Sequence, residues 1–246
     1  MPENSLTPEE FQKVFANMGN VHVLEEELPI EVQQEFMELS SKLEASEYTD
    51  ETAMEMGQRL SDTALTEQEI KETLVILAFR GWVDAFRLIE KYCETVPHDL
   101  HNFARFAYHI SKVFVESELT DTMPRFVSSG LGGRGSLLRY CVVVFPSISP
   151  GFSETQQKII ELEFKEATQR IGGETELTRF LFEYAFMKVL VPIKTNLNVI
   201  IKEAIAECNK YGDFVYEGYF ATNVRTPGHL EILDVIRDLK AKEPLG

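Results

Sequence analysis

At 246 residues, 44% hydrophobic and 26% charged, the chain can bury a real core as one large domain or two modest ones, and wholesale disorder is excluded. Its net charge of −16 is lopsided: residues 1–121 carry 25 Asp and Glu against 9 Lys and Arg, whereas residues 122–246 carry 15 of each. An acidic first half repels phosphate, which argues against nonspecific nucleic-acid or anionic-membrane binding there and leaves a basic protein partner or a well-solvated helical surface.

The opening MPENSLTPEE has neither the basic nor the apolar region of a secretory signal, and no apolar run approaches the ~20 residues of a membrane span. Thr7-Pro8-Glu9-Glu10 reads as a capping box with proline at the first helical position, and Gly19 as the stop. A second helix starts at Pro29, with Val32, Phe36, Leu39 and Leu43 stepping by three and four. The acidic run Glu25-Glu26-Glu27 before it reads as a solvated turn. Thr49-Asp50 opens a shorter helix to about Leu60. Thr66-Glu67-Gln68-Glu69 is a further capping box ahead of Ile70, Leu74, Leu77 and Ala78.

Helix starts then recur near Glu67, Trp82 and Asp99, with turns at Gly81 and Pro97-His98. The segment Leu77 to Ser111 has Arg80-Gly81 and Val83-Asp84-Ala85, then, after Pro97, Phe103-Ala104 and Ala107. It resembles a HEAT-type helical repeat. That resemblance, about one and a half units long, implies stacked helix pairs offering a binding surface without intrinsic chemistry.

After Asp121 the apolar period shifts to two. Pro124–Ser128 predicts a short strand and Leu137–Phe145 a stronger one, with a loop from Ser129 to Ser136 too long for a two-residue turn. Ser153 caps a helix that buries Ile160, Phe164, Ala167 and Ile171 and stops at Gly172-Gly173. Phe180–Val191 predicts one long strand, and Thr195 the cap of a helix with Leu197, Ile201, Ala204, Ile205 and Cys208 on one stripe. Phe214–Thr222 predicts another strand. A last helix from about Gly228 to Ala241 places Leu230, Leu233, Ile236 and Leu239 inside. The expected fold class is α+β: an acidic helical domain, residues 1–121, packed on an α/β domain, residues 122–246, with a mixed sheet in the order β-β-α-β-α-β-α.

The longest acid-free window, between Asp121 and Glu154, holds Gly130, Gly132, Gly133 and Gly135 with Arg125, Arg134 and Arg139. These seven residues are the candidate binding site. Glycines permit positive φ or close approach of another backbone, and two arginines can grip a phosphate or carboxylate bidentately. The loop precedes a strand, not a helix, and no Gly-Lys-Ser/Thr follows, so a nucleotide-binding loop is rejected.

Aromatic alternation at Phe180, Phe182, Tyr184 and Phe186, and at Phe214, Tyr216 and Phe220, reads as core, or as a platform on which nucleic-acid bases stack. His98 and His101, with Asp99 between, read as helix-start residues ahead of a polar face. Glu183 and Glu217 are the only paired carboxylates suggested for catalysis, and no nucleophile motif occurs. Cys93, Cys141 and Cys208 are far apart and set among apolar residues, which predicts buried free thiols in a reducing cytoplasm. The expectation is a cytoplasmic, non-catalytic adaptor or assembly subunit with a protein partner and no cofactor or metal. An RNA- or phospholigand-binding module using the Arg/Gly hairpin is the alternative, and an enzyme with strand-borne carboxylates a third.

Overall fold

The structure, a computed structural model, describes residues 21–43, 48–121, 126–148 and 151–241. The first capping box and Arg125 lie outside the described residues. By contact the chain forms two units: Leu28–Val127, and the residues up to Glu27 together with those from Ser128 onward.

The first unit is helical: α1 (Ile30–Lys42), α2 (Asp50–Gln58), α3 (Glu67–Ala78), α4 (Val83–Thr95) and α5 (His101–Thr120), with the short strand β2 (Phe126–Val127) at its end. The start signals act as their chemistry dictates. Thr49 accepts a hydrogen bond from the Thr52 N–H at 3.2 Å. At α3 the box is reciprocal: Thr66 Oγ1 accepts from the Glu69 N–H, and Glu69 Oε2 accepts from the Thr66 N–H. A one-turn 3₁₀ helix at His98–Leu100 leads into α5. Between α3 and α4, Gly81 sits at φ +68, and a Cβ there would lie 2.7 Å from the Glu118 side chain of α5.

Each of α3, α4 and α5 packs on the other two. They enclose Leu74, Leu77, Ile89, Phe106 and Ile110, none more than 1% exposed. Phe36 of α1 closes this core from outside, its ring 5.2 Å from that of Phe103 and 5.1 Å from that of Phe106.

The second unit contains β1 (His22–Val23), β3 (Gly133–Arg134), β4 (Leu137–Val144), α6 (Glu154–Arg170), β5 (Glu174–Phe180), β6 (Ala185–Pro192), α7 (Leu197–Asn209), β7 (Phe220–Thr222) and α8 (His229–Ala241). The spatial order is β3-β4-β6-β5, with β7 sharing the β3 side of β4. The run β4-α6-β5-β6-α7-β7 thus has the β-α-β-β-α-β, ferredoxin-like connectivity. Val142, Met187 and Val189 face Ile160, Phe164, Ile201 and Ile205 of α6 and α7. Val143, Phe145 and Phe186, alternating with them, meet Ile232 and Ile236 of α8.

The α+β class is as expected, and five details differ. The described pairings are all antiparallel, so the sheet is not mixed. The single strand predicted over Phe180–Val191 is the end of one strand and the whole of the next. A tight turn, closed by the Leu181 N–H to Tyr184 carbonyl bond at 2.8 Å, folds them into a hairpin. Continuous alternation of aromatics hid that turn, which contains no glycine, proline, Asn or Asp. Phe214–Thr222 is a strand only at Phe220–Thr222; before it, Val215 makes an isolated bridge to Pro146. Asn196, not Thr195, caps α7, and Leu230 points outward at 75% exposure while Ile232 takes the core position.

The three cysteines are free thiols, Cys141 and Cys208 fully buried and Cys93 partly so. Burial pushes Cys208 up to about 12 and raises Cys141 as well. A thiol reagent at pH 8 is therefore expected to modify Cys93 first, and the other two only as the protein unfolds, with thiol counts in native buffer and in denaturant as the check.

Candidate functional site

The glycine-rich stretch is more ordered than a mobile loop. β3 lies inside it, pairing Gly133 with Leu138 and Arg134 with Leu137. The turn is therefore two residues after all, Gly135-Ser136, with Gly135 at φ +60, the backbone a type II′ hairpin demands at that position. The eight-residue estimate failed because two of those residues are themselves strand.

Gly132 and Gly133 answer to a neighbour. A Cβ on Gly132 would lie 2.5 Å from the Glu25 carbonyl oxygen and 2.6 Å from that of Glu26. A Cβ on Gly133 would lie 2.0 Å from the Leu137 carbonyl oxygen and 2.6 Å from the Val23 side chain. The main chain of residues 23–27 runs directly over the hairpin, and only glycine admits it there. The Val23 N–H donates to the Gly135 carbonyl at 3.2 Å, and Val23 and Leu24 are 5% and 3% exposed. Gly130 is buried.

The arginines are matched by carboxylates of the same unit. Arg139, on β4, reaches across β6 to Glu176 of β5 in a two-pronged pair, Nε to Oε2 at 2.6 Å and NH2 to Oε1 at 3.0 Å. Its NH1 donates to the Leu131 carbonyl at 2.8 Å and to the Glu25 carbonyl at 3.4 Å. Glu176 is an extra residue in the β5 ladder, a bulge between Thr175 and Leu177 that turns the carboxylate toward Arg139. Lys188 of β6 pairs with Glu27 at 2.6 Å, and Arg134 pairs with Glu174.

The Glu176 hydrogen bonds raise the Arg139 pKa, and Arg139 in turn holds the Glu176 carboxyl below the usual range. A carboxylate so depressed stabilises the fold fully above its unfolded pKa. That contribution fades as pH falls through the lower, folded value. Arg139→Ala is expected to cost about 2 kcal/mol, since it strands Glu176 and the Leu131 carbonyl. Arg134→Ala, at a pair about half exposed on each side, should cost about 0.5 kcal/mol or less. Urea unfolding of the two variants measures the difference, which should shrink at pH 3 to 4.

The structure thus brings Gly130, Gly132, Gly133, Arg134, Gly135 and Arg139 together. Sequence reasoning missed Lys188, Glu174, Glu176 and the role of Glu25 to Glu27. The signal was a lone lysine in the apolar strand AFMKVLVP. The acidic run is no purely solvated turn: Glu27 is paired and the Glu25 carbonyl accepts from Arg139.

The other candidates fall elsewhere. Tyr184 is 3% exposed, its hydroxyl 2.9 Å from Nδ1 of His229, and Tyr216 stacks on Phe145 with centroids 4.8 Å apart. Both rings belong to the core beneath α8, Tyr216 half-buried, whereas Phe182 of the same alternation is 67% exposed in the β5–β6 turn. Glu183 lies in the β5–β6 turn and Glu217 in the irregular segment before β7, both exposed, so neither is strand-borne. A cleft of about 480 Å³ is lined by Lys202, Ile205, Asn209, Lys210, Asp213 and Glu217. His98 and Asp99 are fully exposed. No helix among the described residues is long and apolar enough to cross a membrane.

Comparison of the chain with protein-family models and with curated proteins gives no match.

Proposed function

We propose that this protein is a non-catalytic interaction protein, an adaptor or assembly subunit, whose helical unit contacts a basic protein partner. The supporting observation is how the charge is disposed on that unit. Residues 28–127 contain 19 Asp and Glu against 9 Lys and Arg. Three of those cations are engaged locally: Lys71 with Glu35 and Glu67, Arg80 with Asp50, and Arg59 with Asp62. Burial lowers the Lys71 pKa, but its two glutamates outweigh that effect and raise it, so it stays charged and committed.

The surplus is negative and faces water. Glu31 and Glu38 on α1 and Glu51 and Glu55 on α2 are all exposed. A surface of one sign steers an oppositely charged partner and excludes a like-charged one. The HEAT-type resemblance of residues 77–111 agrees with a helical scaffold used for binding, and three free cysteines agree with a reducing, cytoplasmic setting.

The test replaces Glu31, Glu38, Glu51 and Glu55 with lysine together and compares captured proteins with those of the wild type at matched stability. Loss of a stoichiometric basic partner supports the reading. Retention of every wild-type partner overturns it.

A further inference from the structure

Residues 23–27 occupy a groove whose construction exceeds what holding a connecting segment requires. The floor is main chain, exposed because Gly132 and Gly133 lack side chains beneath the short strand β1 and the bend at Glu26 that follows it. The walls carry two cations from different strands, Arg139 and Lys188, whose side chains are only 16% and 21% exposed. One meets a carbonyl of the segment and the other a carboxylate. Val23, its side chain against Gly133, and Leu24 are both buried just ahead of the acids. Backbone contact for affinity, pockets for anchor side chains and charge for specificity are together the elements of extended-peptide recognition.

We propose that this groove is a binding site for an acidic, extended peptide of a partner protein, two apolar residues followed by glutamates or aspartates, and that residues 21–27 are its resident occupant. This reading concerns a different surface from the acidic helical face and stands independently of it. The resident segment is tethered, so it competes at an effective concentration on the order of millimolar for a short linker. A partner peptide therefore binds weakly to the wild-type chain and much more tightly when the resident segment is weakened.

The probe is a fluorescent synthetic peptide, NVHVLEEELP, copied from residues 20–29. It is titrated onto full-length wild type, onto a Leu24→Ser/Glu27→Gln chain, and onto that chain carrying Lys188→Glu in addition. Binding at least tenfold tighter to the double variant than to wild type, lost with Lys188→Glu and weakened by salt, supports the proposal. Equal binding to all three, or none to any, overturns it. A dimer of the double variant that the peptide dissolves would assign the groove to a second copy's segment and overturn the partner assignment. Should the double variant not fold, the wild type decides. Unlabelled peptide at millimolar concentration should speed hydrogen exchange at the Val23 amide severalfold, and unchanged exchange overturns the proposal.

Discussion

Gly133→Val is expected to lower the unfolding free energy by about 3 kcal/mol, the largest effect of any change in the glycine-rich stretch. The cause is not backbone freedom, since Gly133 is absent from the residues with positive φ. It is space. The first carbon of the new side chain would sit 2.0 Å from the Leu137 carbonyl oxygen and 2.6 Å from Val23, so β3 must part from β4 and the overlying segment must lift. Gly135→Ala is the control: φ is +60, but nothing lies within 4 Å of its Cβ. Only the conformational penalty applies, about 1 kcal/mol. Urea midpoints of both variants separate the two causes. Equal shifts would mean that neither the Leu137 carbonyl nor Val23 crowds Gly133 as described.

The second large effect belongs to the helical unit. Phe36→Ala should cost about 4 kcal/mol, the middle of the range for buried phenylalanine. Phe36 is fully buried, and its ring touches those of Phe103 and Phe106 edge-on or tilted, with Phe79 at 6.0 Å. Those partners come from α3, or its end, and from α5, so truncation opens a void that three elements must close together. Thermal unfolding by circular dichroism would show the loss as an earlier helical transition. A cost under about 1.5 kcal/mol would mean that α1 rearranges to fill the space.

Most of the architecture was legible because local signals and burial agreed. Thr49, Thr66 and Ser153 each mark a true helix start, since an oxygen acceptor at that position satisfies an otherwise orphaned amide. Strand β4 announced itself by its β-branched run. What escaped was set by tertiary context. The turn at Leu181–Tyr184 uses no turn-forming residue, so alternation ran through it unbroken. The ladder direction depends on which strands meet, which period alone does not state. Leu230 fits the helical stripe as well as Ile232 does, and only the position of the sheet chooses between them. The site was half legible. Glycines and arginines stood out, while Glu176 and Lys188 looked like ordinary strand residues until the bulge and the cross-strand register brought them to Arg139 and Glu27. The glycines invited two explanations, an anion or another backbone, and at Gly132 another backbone, that of Glu25 and Glu26, lies close by.

Hydrogen exchange at the Val23 amide tests this account most directly. Bonded to the Gly135 carbonyl and buried beside Gly133, it should exchange at least ~100-fold more slowly than an unstructured amide in the wild type. In Gly132→Ala that protection should fall sharply, while amides in β6 keep theirs. An unprotected Val23 in the wild type, or protection unchanged in Gly132→Ala, would contradict the packing of the acidic segment on the glycine-rich hairpin.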